Sequence, residues 1–134
     1  MIEKPMDRAS DSVFDFEKLK VYQKALDYLD FVYEVTRDFP KTEMYSLVDQ
    51  YKRASSSICL NIAEGSGGTK IEFKRFLGIA RRSVRECIAI TEIAYRQKFM
   101  DIGQRARSRD YCFEISRMIG GLIKSLLNER TQNE

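Results

Sequence analysis

The sequence predicts an all-α protein, an antiparallel up-down four-helix bundle built as one domain. Four stretches of about 20 to 29 residues carry apolar side chains at spacings of three and four, short runs rich in Gly, Pro or Asp separate them, and no segment alternates as a strand would.

Residues 1–14 (MIEKPMDRASDSVF) are largely polar and lack periodicity, which predicts a flexible arm. They contain no apolar core of the kind a secretion signal needs. The first helix is expected over Glu17–Asp38, with Val21, Ala25, Leu29, Val32 and Thr36 facing inward. Phe39-Pro40 ends it, because a residue before proline is pushed out of the helical region. The second helix starts after Thr42 as N-cap and runs to about Glu64, with Leu47, Tyr51, Ala54, Ile58 and Ile62 on one face. The third, about Lys70 to Lys98, turns Phe73, Leu77, Ala80, Val84, Cys87, Thr91 and Ala94 inward. Its internal Gly78 costs about 1 kcal/mol relative to Ala where exposed. After the turn FMDIG the fourth helix spans about Gln104 to Asn128, with Ile115, Met118, Ile119, Leu122, Ile123 and Leu126 facing in. Gly120-Gly121 within it either gives room for a neighbouring helix or is simply tolerated. The bundle domain is thus 15–128, followed by a solvated tail, 129–134.

Between the second and third helices stands GSGGTK, Gly65 to Lys70, which raises the possibility of a phosphate-binding loop. The spacing rejects it. A P-loop needs G-x-x-x-x-G-K-[ST], whereas here Thr69 precedes Lys70 and no Gly lies five residues before Gly68; the dinucleotide fingerprint lacks its third Gly. The plain use is a positive-φ C-cap and turn supplied by Gly65 to Gly68, with Thr69 and Glu72 spaced as a capping box for the third helix. Anion binding at that helix N-terminus is the alternative use.

A chain of 134 residues suits one compact domain. With 32% charged and 43% apolar residues it has a soluble composition, and no apolar run approaches the ~18 residues of a membrane span, so a cytoplasmic location without a membrane partner is expected. Cys59, Cys87 and Cys112 are well separated, odd in number and set in helical segments, which predicts reduced, buried thiols. The chain has no histidine, which removes Ser-His-Asp and Cys-His activation and the usual zinc sites. No catalytic residue, metal ligand or cofactor is assigned. Carboxylates such as Glu64, Glu72 and Glu86 offer the best case for a metal enzyme, but they lack the Glu-x-x-His pairing of carboxylate bundles. A net charge of +3 and a pI near 8.8 permit a nucleic-acid partner without requiring one.

Winding the helices at about 100° per residue isolates faces that the core does not use. On the second helix Gln50, Arg53, Ser57, Asn61 and Glu64 form a polar stripe, suited to a hydrogen-bonded seam or to a functional groove. On the third, Lys70, Lys74, Arg81, Arg85 and Arg96 form a basic arc with Arg75 and Arg82 at its margin, interrupted by Glu92. Such an arc suits a phosphate backbone; solubility is the plainer explanation. Ile79, Ile90 and Ile93 lie away from the inward set and, with Val48 and Cys59, point to a contact with another copy of the chain.

The run FPKTEMYSLVDQYKRASSSICLNIAEGSGGTKIEFKRFLGIARRS resembles the signature of the small bacterial four-helix proteins named after intervening sequences of 23S ribosomal RNA genes. Their pattern F-P-x-x-E-x-Y-x-L, Q-x-x-R-A-x-x-S-I-x-x-N-I-A-E-G and E-F-x-x-F-L-x-x-A is met at Phe39–Leu47, Gln50–Gly65 and Glu72–Ala80, and KLKVYQKALDYL resembles the family's first helix. The resemblance implies a ring-like homopentamer with a basic surface; a more distant branch binds protein and RNA, and most members have no established activity. The family's polar motif residues fall on Gln50, Arg53, Ser57, Asn61 and Glu64. Two positions depart from the pattern: Ser46 and Arg82 stand where Gly is usual, and a bulky residue 82 is expected to hinder close backbone packing. Together these features predict a non-enzymatic homo-oligomer that binds RNA through Lys70, Lys74, Arg81, Arg82 and Arg85. The alternative is a protein–protein scaffold or accessory subunit with no nucleic-acid contact.

Overall fold

In a computed structural model the described residues are 14–133, with side chains described over 14–128. Among them the fold is all-α: α1 (Lys20–Val35), α2 (Leu47–Ser66), α3 (Lys70–Arg96) and α4 (Ile102–Asn133), with no strand. Short 3-10 turns at Asp15–Lys18, Thr36–Asp38 and Lys41–Glu43 flank α1 and lead into α2. The principal packing pairs are α1 with α2 and α4, α2 with α3, and α3 with α4. The expected arm falls outside the described residues except for Phe14. The expected tail, 129–134, continues α4 in backbone as far as Asn133, and its side chains lie outside the described residues.

Local chemistry sets two of the helix starts. Thr69 accepts a hydrogen bond from the Glu72 backbone N–H at 3.1 Å while the Glu72 carboxylate accepts from the Thr69 N–H at 2.9 Å, the expected capping box at the head of α3. The same reciprocal arrangement joins Asp101 and Gln104, at 2.9 and 2.7 Å, and starts α4 at Ile102 instead of Gln104. Thr42 is not the N-cap of α2. It sits inside the 3-10 turn after Pro40, and α2 begins at Leu47, where Leu47 and Val48 first reach the core.

The glycine-rich connection also differs from the expectation. No glycine there has positive φ; α2 runs through Gly65 to Ser66 and ends on Gly67 at φ −85°. Gly65 is required for a different reason, since a Cβ at that position would stand 2.5 Å from Phe76 Cβ on α3. It lets the last turn of α2 lie directly on α3. Gly120 plays a related part in α4, but what it admits is the Arg81 guanidinium, 2.7 Å from where a Cβ would be. At Gly78 and Gly121 a Cβ would meet nothing within 4 Å.

The core is largely the predicted one, extended by Tyr28, Phe31 and Val35 of α1, Val48 of α2 and Ile90 of α3. Cys59, Cys87 and Cys112 are unpaired and buried. The four-residue-spaced apolar run Met118, Leu122, Leu126 in α4 is only half-buried. Helix length accounts for this: 16 residues carry α1 about 24 Å and 32 carry α4 about 48 Å, so α1 cannot cover the last turns of its neighbour.

Within the core lies a polar layer with one hydroxyl from each helix, Tyr28, Tyr51, Thr91 and Ser108, all 0% exposed. Ser108 Oγ lies 2.9 Å from Tyr28 Oη, 2.9 Å from Tyr51 Oη and 2.7 Å from Thr91 Oγ1, and the two tyrosine oxygens are 3.0 Å apart. Thr91 also reaches the Cys87 carbonyl at 2.8 Å. Each buried hydroxyl therefore has partners, without which its burial would cost about 1–3 kcal/mol.

Candidate nucleic-acid interface

α3 carries seven cations against three carboxylates, a net +4 in a chain whose total is +3. Its capping box orients the first turn, and its inward residues Leu77, Ala80, Val84, Cys87, Thr91 and Ala94 fix which side the cations take. Arg81, Arg82 and Arg85 are exposed, and Lys74 is half-buried beside Ile71 and Leu126. None of these four cations forms an ion pair with a described residue. Lys70, the fifth, is exposed at the start of the helix. Arg75 instead covers the ring of Phe76 at 4.5 Å.

Glu92, the acid that interrupts the arc, is held from α4. Arg105 Nε donates to both its carboxylate oxygens, at 3.1 and 2.9 Å, and Arg109 donates at 2.9 Å. The hydrogen bond from Arg105 is the main reason its carboxyl titrates below the usual range. Two arginines on one carboxylate leave that site net positive. The sequence concealed this, because Arg105 and Arg109 reach Glu92 only across the turn between α3 and α4.

The polar stripe divides in two. Ser57 and Asn61 lie in the α2/α3 seam, where Asn61 Nδ2 donates to the Ser57 carbonyl at 2.8 Å and to its hydroxyl at 3.0 Å, and Ser83 Oγ donates to Ser57 Oγ at 3.0 Å. Gln50, Arg53 and Glu64 are exposed, and Arg53 pairs with Asp49 one turn away at 3.6 Å. Arg82, next to Ser83, points to solvent and does not hinder packing inside the subunit. Ser46 takes φ −128° and ψ −93° at the head of α2, outside the ordinary helical and extended regions.

The isoleucines expected at a subunit contact also separate. Ile90 is 3% exposed and belongs to the subunit's own core, as do Val48 and Cys59, so these three give no outward strip; with Ser55 and Ser83 also buried, the covered sector of α2 and α3 is wider than the apolar spacing alone suggests. Ile79 is half-buried and Ile93 is 49% exposed. Leu60 and Ile71 are more exposed, at 65% and 60%. Glu72, one of the carboxylates considered for a metal, is engaged in the capping box. Among the described residues no three potential ligands cluster for a metal ion, and no helix is long and apolar enough to cross a membrane.

With this geometry in hand, comparison with known proteins is decisive for the family. The profile of the 23S rRNA-intervening sequence proteins matches residues 17–121. The chain belongs to that family. As a 23S rRNA-intervening sequence protein it shares its fold with a solved structure from Bacteroides thetaiotaomicron, described as a protein with unknown function from the S23 ribosomal protein family. The two are 22% identical with a TM-score of 0.71, over 78% of this chain and 95% of the other. No functionally curated protein matches the chain.

Proposed function

We propose that this 23S rRNA-intervening sequence protein is a non-enzymatic, cytoplasmic homo-oligomer that binds RNA phosphates through α3. In this reading each subunit is an antiparallel up-down bundle, consistent with packing between successive helices and between α1 and α4. The observation that carries it is the ridge of Lys74, Arg81, Arg82 and Arg85, which has no carboxylate partner among the described residues while the one acid on the arc is occupied by Arg105 and Arg109. The family's association with ribosomal RNA is in keeping with such a surface. Repetition around a ring of subunits, most simply five, would multiply the field beyond what +3 per chain supplies.

Fluorescence anisotropy with a labelled RNA across a salt series tests the reading. Substituting Lys74, Arg81 and Arg85 together by Ala is expected to weaken binding and to flatten the log–log salt dependence by about two to three units. An unchanged slope removes the assignment. A protein scaffold is the second reading, favoured by exposed Leu60 and Ile71 at 65% and 60%. It predicts the same oligomer with a protein-like absorbance ratio after low-salt purification; the chain has no Trp, so retained RNA would dominate the spectrum.

A further inference from the structure

We propose that Phe113, on the side of α4 that meets α3, is a stacking platform for a base of single-stranded RNA. This rests on the RNA-binding reading above and specifies the form of RNA it takes. Phe113 is 78% exposed, and among the described residues no ring or cation stacks on it. That sets it apart from most aromatic rings outside the core: Lys52 covers Tyr33 at 4.4 Å, Arg105 covers Tyr95 at 5.1 Å and Lys24 covers Tyr111 at 5.7 Å. Tyr45 is also bare at 90% exposure, but it lies in the turn before α2, away from the cations of α3 in the chain.

The position of Phe113 follows from its helix. At 100° per residue Arg109, Phe113 and Gly120 share a strip of α4 about 40° wide. Both flanking members of that strip meet α3, Arg109 through Glu92 and Gly120 through Arg81. Phe113 lies between them in the chain and so stands on the same side of α4, the side that meets α3 and its unpaired Arg81. The acids next to it in sequence turn elsewhere: Asp110 and Glu114 line a 230 Å³ recess with Lys24 and Arg107 on the α1 side, and Glu114 also accepts from Arg117 at 2.8 Å. A bare ring beside cations spaced one helical turn apart matches a strand whose base faces are free, whereas a duplex hides those faces in its stack.

The test uses the full chain with a short fluorescein-labelled oligo(A) and a blunt RNA duplex of the same length. Phe113→Ala is expected to weaken binding of the strand about tenfold, with duplex affinity and salt slope as in the parent protein. Phe113→Trp should keep the affinity, and its emission, the only indole signal in the chain, should be quenched by oligo(A). Unchanged strand affinity in Phe113→Ala, while the parent binds, overturns the platform and leaves the RNA-binding reading intact. A lower particle mass for Phe113→Ala in light scattering also overturns it, because the ring then belongs to a subunit contact. Failure of the parent protein to bind either RNA removes the broader reading together with this one.

Discussion

Lys98 takes the left-handed backbone conformation, at φ 67°, and does so where α3 must stop. The Phe99 N–H donates to the Ala94 carbonyl at 2.8 Å and the Lys98 N–H to that of Tyr95 at 3.0 Å, a helix ending that favours glycine at the left-handed position. Lys98→Gly is expected to raise stability by about 0.5–1 kcal/mol in urea unfolding, the relief of the side-chain clash outweighing the added freedom of the unfolded chain. The buried thiols and phenols make a second prediction. Burial pushes Cys59 and Cys112 up to about 11 and Tyr51 to about 12, and raises Cys87 and Tyr28 as well. The folded state therefore holds these protons more tightly than the unfolded chain, whose thiols ionise near 9 and phenols near 10. Their contribution is fully present below about pH 9 and is lost as pH rises toward 12, so the urea midpoint should fall steadily across that window. A flat profile from pH 9 to 11 would contradict it.

Helices α3 and α4 begin on reciprocal side-chain caps of the same spacing, Thr69 with Glu72 and Asp101 with Gln104. The first is legible because Gly-rich sequence isolates it; the second is equally local, but Gly103 two residues after Asp101 obscures the onset of helical periodicity. How the four helices are set against one another is a different matter. Each contributes one hydroxyl to the layer of Tyr28, Tyr51, Thr91 and Ser108, and a helix shifted by one residue would bury an unpaired oxygen or expose its core face. Ser108→Ala is expected to cost about 2 kcal/mol, because the hydroxyl that contacts the other three is lost and they remain buried. A urea titration reads this directly, and a change below about 0.5 kcal/mol would show that the layer is dispensable. In sequence Tyr51 and Thr91 read as unremarkable members of inward faces, and Tyr28 and Ser108 belong to no inward set.

Across the whole molecule the cationic ridge of α3 adjoins exposed apolar residues, with Lys74 beside Ile71, and Leu60, Ile71 and Ile93 are available for association. If self-association uses the half-exposed isoleucine, Ile93→Glu should lower the mass found by light scattering while leaving the helical circular dichroism unchanged, since the side chain is 49% exposed in the subunit. An unaltered mass would remove Ile93 from the contact. The ridge itself was readable as a periodicity of Lys and Arg on one helix. Its availability was not, since whether a guanidinium is free depends on which carboxylates other helices bring near it.

Residue spacing alone determined the four helices, most of the core and the basic arc, because helical periodicity and most caps act within a few positions of the chain. Only the tertiary structure decided that Ile90, Val48 and Cys59 turn into the subunit, that Gly65 serves contact instead of a left-handed turn, that Arg105 and Arg109 take Glu92, and that four hydroxyls meet. Each of these depends on the rotation and spacing of helices distant in sequence, where a shift of some tens of degrees exchanges a wet side chain for a buried one.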